Sequence, residues 1–198
     1  MAERIAILGA GESGVGAAIL AKQKGYDVWV SDMGNIKDKY KEVLLHNEIK
    51  WEEGVHSENE IFLAKEVIKS PGIPETAPLI KALKANSIPV ISEIEFAGRY
   101  CHGKKICITG SNGKTTTTLM LNHVLDKAGL KTVACGNVGK SFAAMVALNV
   151  HDYYVIELSS FQLADMYDFK ADIASLLNIT PSYLDRSESS MDEDVASK

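Results

Sequence analysis

Along the 198-residue chain, short apolar runs alternate with stretches whose apolar positions recur at helical spacing. Runs at Arg4–Leu8, Tyr26–Ser31, Glu66–Ser70 and Ile88–Ser92, with a shorter one near Ile49–Trp51, have the length and β-branched content of buried strands. Helical patterns fill the gaps from about Val15 to Lys24 and from Pro78 to Asn86, and the Ile88-Pro89 pair stops the second. Strands alternating with helices predict a parallel, doubly wound α/β sheet. A short helix at Ile94–Tyr100 leads to Cys101-His102-Gly103, a reasonable joint, and a second set of elements begins at Lys104. It has strands at Thr132–Ala134, Tyr153–Leu158 and Ile173–Asn178 and helices at about Thr116–Ala128 and Ser141–Leu148. The expected division is therefore two α/β units, residues 1–93 and 94–198, with the break near 93–103. The tail Asp185–Lys198 is polar and acidic without apolar period, as in a solvated end or a frayed helix.

The second unit opens with the most specific chemistry. Lys105–Leu119 reads KICITGSNGKTTTTL: a strand, a glycine loop closing on a lysine, then threonines at a helix start. Backbone N–H groups of such a loop and of the helix N-terminus point at a phosphate, and glycines let the backbone come close. Gly110, Ser111, Asn112, Gly113, Lys114, Thr115 and Thr116 form the candidate ATP cradle. Lys114 would reach the terminal phosphates, and the Thr115 hydroxyl would touch magnesium. Ile108 stands where the longer G-x-x-x-x-G-K-[ST] form has its first glycine, so the loop is the shorter T-G-x-N-G-K-T version. An ordinary glycine turn would explain the glycines but not a lysine and a threonine in register. Glu157, ending the Tyr153–Leu158 run, is the candidate second holder of magnesium, a hard cation that favours anionic oxygen. A structural acid at a strand end is its alternative. Gly136-Asn137-Val138-Gly139-Lys140 follows another strand and offers an amide for substrate.

In the first unit, Gly9-Ala10-Gly11-Glu12-Ser13-Gly14 matches G-x-G-x-x-G between a strand and a helix, and Asp32 ends the next strand. Alone this suggests a nicotinamide-dependent oxidoreductase, yet tight strand–helix packing selects the same glycines. The safer inference is a nucleotide-diphosphate pocket. Ser70-Pro71-Gly72-Ile73-Pro74 follows a strand at the end where such sheets bind ligands; a turn stiffened by two prolines is an equal alternative.

Composition changes this picture little. Hydrophobic residues at 46% and charged ones at 24% suit a folded domain, and a net charge of −5 excludes nucleic acid or an anionic membrane as the main partner. The three cysteines form no C-x-x-C pair and read as buried free thiols. The five histidines lack zinc-ligand spacing, and His151 reads as plain surface. With no signal-peptide pattern at the N-terminus and no run approaching about 20 apolar residues, a cytoplasmic protein is expected.

Taken together, AILGAGESG, SPGIP, ITGSNGKTTTT, GNVGK, IELSSFQL and LNIT…LDR resemble the Mur ligases from the first strand to about Arg186. The phosphate loop alone would indicate a wider group that includes folate polyglutamate synthases. SPGIP, GNVGK and ELSSFQL point to the D-glutamate-adding branch. The resemblance implies a Rossmann-like N-terminal domain followed by part of a P-loop ATPase domain. It implies ligation of D-glutamate to UDP-N-acetylmuramoyl-L-alanine with ATP and Mg2+, through an acyl phosphate, in peptidoglycan synthesis by a monomer. Carried over by motif, Lys114 and Glu157 are catalytic, and Thr115 and Glu157 serve magnesium. Asn137 and Ser159 face the substrate, while Glu12, Ser13, Asp32 and Gly72 line the uridine-diphosphate pocket. Tyr183, a poor ligand, stands where the family has a metal-binding histidine, and Lys198 falls where it has a magnesium-bridging lysine. The family continues into a C-terminal domain that completes the ATP and D-glutamate sites. The chain alone is accordingly expected to bind the UDP-sugar without catalysing ligation, an inactive nucleotide-binding module being the alternative.

Overall fold

The computed structural model describes residues 2–180. Its first sheet comprises β1 (Arg4–Leu8), β2 (Asp27–Asp32), β3 (Lys50–Glu53), β4 (Glu66–Lys69) and β5 (Val90–Ser92), in the order β3-β2-β1-β4-β5. Every pairing is parallel, with Leu8 opposite Ser31 on one side and Lys69 on the other. From β1 the chain winds first towards β3 and then back through β4 to β5. The order thus reverses between β1 and β4, and a crevice opens there at the carboxyl ends of the strands. The second sheet, β6 (Lys104–Thr109), β7 (Thr132–Gly136), β8 (Tyr153–Glu157) and β9 (Ile173–Leu176), has the order β7-β8-β6-β9 and is also parallel.

Buried parallel strands are apolar on both faces, which is why β1, β4, β6 and β8 stand out in the sequence. The polar helix α2 (Asp38–His46) does not, since Leu44 is its only buried residue. Two one-turn helices, α3 (Glu58–Ile61) and α8 (Ser160–Ala164), are likewise additions to the expected set, too short to show a period. Helix α1 (Glu12–Gln23) starts three residues before the expected Val15, so Gly14 lies inside it. Helices α4 (Pro78–Ala85), α5 (Glu93–Gly98), α6 (Lys114–Lys127) and α7 (Phe142–Leu148) follow the predicted pattern. Among the described residues no helix is long and apolar enough to cross a membrane.

One apolar cluster joins both units: Ile5, Ile7 and Val30 of the first sheet and Leu20 of α1 with Tyr154 and Ile156 of the second sheet and Phe142 of α7, together with Phe96. Phe142 meets Tyr154 edge-on at 5.5 Å. Ala6, Leu8, Ile61, Val67, Ile80, Leu83 and Val90 fill the opposite face of the first sheet. Cys107 and Cys135 are buried as expected, and burial pushes the Cys107 thiol up to about 12. His151, by contrast, is half-buried against Tyr154, with its Nδ1 buried and unpartnered among the described residues.

Glu93 is buried at the seam between the sheets. Its Oε1 accepts from Ser141 Oγ and from Ala143 N, both at 2.6 Å, in the first turn of α7. Among the described residues its Oε2 has no hydrogen-bond partner. Burial pushes the carboxyl from its ordinary 4.5 up to about 7, although the bonds from Ala143 and Ser141 pull the other way. A raised acid favours folding below its unfolded pKa, and that contribution disappears as pH rises through the folded value. Glu93→Gln cannot ionise, so its stability relative to wild type should improve from about pH 5 to about pH 8, by on the order of 3 kcal/mol at most. Thermal melts at the two pH values read this difference directly; an identical shift at both would show that the carboxyl does not change its ionisation there.

Candidate functional site

Strand β6 delivers Thr109 to the loop 110–113, and α6 begins at Lys114 with Gly113 as its N-cap and no side-chain cap. A helix start leaves its first amides without intrahelical acceptors, so the amides after Gly113 form a donor cluster suited to an anion. Gly110 has φ +143, and a Cβ there would lie 3.1 Å from both the N and the O of Asn178, so a side chain would be strained and tightly packed. The Lys114 ammonium curls over its own loop and donates to Gly110 O at 2.7 Å and Ser111 O at 3.0 Å.

Beneath the loop, β8 pairs in register with β6 and brings Glu157 opposite Ile108. Glu157 is 2% exposed. Its Oε2 accepts from Thr115 Oγ1 at 2.8 Å and its Oε1 from Asn137 Nδ2 at 2.7 Å, so both donors are neutral. Among the described residues no salt bridge reaches it. A buried carboxylate beside a threonine hydroxyl, without a cation of its own, fits the hard-oxygen donor set of magnesium. Also among the described residues, no group of three or more His, Cys, Asp or Glu gathers into a metal cluster.

Asn178 and Thr180, which the loop motif did not reveal, clamp the loop from the end of β9. Asn112 N donates to Asn178 Oδ1 at 2.9 Å, and Thr180 N donates to Ser111 Oγ at 2.9 Å. The available signal was positional, since both follow a strand that pairs with β6. Ser159 caps α8: its Oγ accepts from Gln162 N at 3.3 Å, and Gln162 Oε1 accepts from Ser159 N at 3.0 Å. Lys114, Thr115, Glu157 and Asn137 thus share one site, with Ser159 two residues beyond it.

The other predicted residues lie at the carboxyl edge of the first sheet. Asp32 ends β2 and accepts from Ala10 N at 2.6 Å and Gly34 N at 2.8 Å, so it braces the glycine turn itself. Exposed Glu12 accepts from Tyr40 Oη at 3.1 Å. Ser13 is half-buried in the first turn of α1, and Gly72 is exposed, with open space where a Cβ would stand. Tyr183, Arg186 and Lys198 lie outside the described residues.

Two family models account for nearly all of the chain: "Mur ligase MurD-like, N-terminal domain" over residues 3–92 and "Mur ligase middle domain" over residues 108–198. The chain belongs to the Mur ligase family. A curated relative, the UDP-N-acetylmuramoylalanine–D-glutamate ligase of Bacteroides fragilis, is 60% identical over 99% of this chain and 44% of its own length. The ligase of the same name from Porphyromonas gingivalis is 62% identical over 92% of this chain and 40% of its own. The chain therefore spans less than half the length of these curated relatives. Among solved structures, a UDP-N-acetylmuramate:L-alanyl-gamma-D-glutamyl-meso-diaminopimelate ligase from Neisseria meningitides superposes with a TM-score of 0.65 at 21% identity, covering all of this chain and 66% of that one. The UDP-N-acetylmuramate-alanine ligase of Thermotoga maritima gives 0.59 at 21% identity, over 98% of this chain and 45% of that one. At such identity the likeness concerns the fold: a Rossmann-like parallel-sheet unit followed by part of a P-loop α/β unit.

Proposed function

We propose that this Mur ligase chain is the UDP-sugar- and ATP-binding part of an enzyme that adds D-glutamate to UDP-N-acetylmuramoyl-L-alanine in cytoplasmic peptidoglycan precursor synthesis. The choice of D-glutamate rests on the 60% identity to the ligase of that name over 99% of the chain. The topology supports it with two candidate crevices, the strand-order reversal of the first sheet and the loop 110–113 at the carboxyl edge of the second. Residues 1–93 would form the UDP-sugar domain, with Glu12, Ser13, Asp32 and Gly72 around the diphosphate. Residues 94–198 would form the N-terminal part of the ATP domain, with Asn137 and Ser159 towards the substrate.

In the proposed reaction the substrate's terminal alanine carboxylate takes the γ-phosphoryl group as an acyl phosphate. The D-glutamate amine then attacks the acyl carbon, and phosphate leaves. Lys114 and the first amides of α6 would hold the phosphates and stabilise charge on the transferring group. Thr115 and Glu157 would hold Mg2+, which supplies neutralisation of the phosphate oxygens. Asn137 orients Glu157 through its amide.

A nicotinamide-dependent oxidoreductase is the competing function for the first crevice. Asp32 is its one further support, already bracing the amides of Ala10 and Gly34, and that reading leaves the phosphate loop of the second sheet unexplained. Calorimetric titration of the chain with UDP-N-acetylmuramoyl-L-alanine and, separately, with NAD decides the matter. Saturable binding of the UDP-sugar and none of NAD is expected; the reverse would sink the proposal.

A further inference from the structure

We propose that Lys69 is a positioning residue that holds the 70–75 loop at the first crevice from across the seam, through Asp165, so that grip on the UDP-sugar depends on both units. This rests on the proposal that the first crevice takes the UDP-sugar.

Lys69 is the last residue of β4 and is paired in register with Leu8, beside the point where the strand order reverses. Its side chain is 3% exposed. An ammonium has three protons, and here each has an acceptor: Ile73 O at 2.9 Å, Glu75 Oε1 at 3.0 Å and Asp165 Oδ2 at 2.9 Å. The first two belong to the loop that leaves β4, so the loop is folded around its own lysine. The third belongs to the residue that ends α8, and Asp165 is as buried as Lys69.

Asp165 is itself fixed to the first sheet, because Ser92 N donates to its carbonyl at 2.9 Å. The next turn is fixed too: Glu95 Oε2 accepts from the amides of Tyr167, Asp168 and Phe169 at 2.9, 3.1 and 3.0 Å. A continuous path therefore runs from Glu157 at the nucleotide site, through Ser159 and α8, to Asp165, then across to Lys69 and the loop. At the loop's near end, Ser70 packs against Gly9, where an added Cβ would come within 2.7 Å of Ser70 Cβ. Gly72, two residues on, faces open space.

A buried ion pair adds little stability compared with apolar residues of similar volume. What it supplies is direction, since three N–H bonds fix one carbonyl and two carboxylates relative to a strand end. Burial pushes the Asp165 carboxyl up, opposed by Lys69, whereas hydrogen bonds from Lys84 and Lys69 overcome burial at Glu75 and pull it down to about 2. Lys69 thus opposes the cost of burial at Asp165 and shares that role with Lys84 at Glu75.

The test is the double variant Lys69→Met with Asp165→Leu, which removes both charges and keeps the volume. Its affinity for UDP-N-acetylmuramoyl-L-alanine should fall by about tenfold or more, its affinity for ATP with Mg2+ should stay within about twofold, and its melting temperature should be retained. Amide hydrogen exchange should accelerate at Gly72, Ile73 and Ala77. If the double variant does not fold, Asp165→Asn, which leaves Ile73 and Glu75 on the lysine, should show a smaller loss with the same selectivity. Unchanged UDP-sugar affinity in a folded variant overturns the proposal, as does a parallel loss of both affinities. A wild-type chain that fails to bind the UDP-sugar overturns the functional proposal and this one with it, which separates the two failures.

Discussion

Lys114→Ala should weaken binding of ATP in the presence of Mg2+ by about a hundredfold or more, with little change in melting temperature. Lys114 is the only charged residue in the loop and first turn, Gly110–Thr116. Its contacts to Gly110 O and Ser111 O hold the ammonium over the loop instead of letting it sweep through solvent, so little side-chain entropy is lost when phosphate arrives. An ammonium has three protons, so the loop contacts must give way to phosphate oxygens as the nucleotide binds; two hydrogen bonds to a charged group, at about 1.5–3 kcal/mol each, then account for the hundredfold change. Glu157→Gln should act differently. The amide keeps one acceptor oxygen but loses the anionic charge, so affinity should respond less to added Mg2+ while the metal-free component persists. Fluorescent-nucleotide titrations at several Mg2+ concentrations separate the two variants. Affinity close to wild type in Lys114→Ala would place the nucleotide elsewhere.

The candidate nucleotide loop is legible because its parts are local: strand, loop, lysine and threonine occupy consecutive positions. Glu157 could be inferred from its place at the end of an apolar run, which parallel pairing brings under the loop. What escaped the sequence is non-local. Glu93 meets its hydroxyl partner 48 residues away, Glu95 its amides 72 or more away, and Asn112 its clamp 66 away. No periodicity marks a buried charge whose partner lies on another element. Asp32 shows a different difficulty. An acid at the end of the second strand predicts a ribose contact, yet here it satisfies the amides of Ala10 and Gly34. Both needs place a carboxylate at the same position, so sequence alone leaves them unresolved. Helix α2 is hard to see in the sequence because it is polar overall, with Leu44 its only buried residue.

Gly14→Ala should destabilise the chain by about 3 kcal/mol or more, lowering the melting temperature by roughly 10 °C. The third glycine of the G-x-G-x-x-G pattern is the one that close helix–strand packing requires; Gly14 is buried inside α1, and an added Cβ would lie 1.9 Å from Gly9 O and 3.0 Å from Gly9 C. The obstacle is backbone, so no rotamer change relieves it. Gly9 cannot yield, because its N donates to Ser31 O at 2.8 Å and its Cα side is closed by Ser70. The helix would have to move instead. Its far face carries Gly16 against Ser141, where α1 packs on α7, and displacing it would open the seam between the sheets. Gly11 provides the contrast: it is the N-cap of α1 at φ −81, with no atom within 4 Å of an added Cβ. Gly11→Ala should therefore cost about 1 kcal/mol or less, the penalty of a poorer cap. Denaturant unfolding of the two variants measures both. Equal stabilities would mean that the backbone adjusts around the added methyl, whereas the expected gap would show that Gly14 holds the fold together and Gly11 does not.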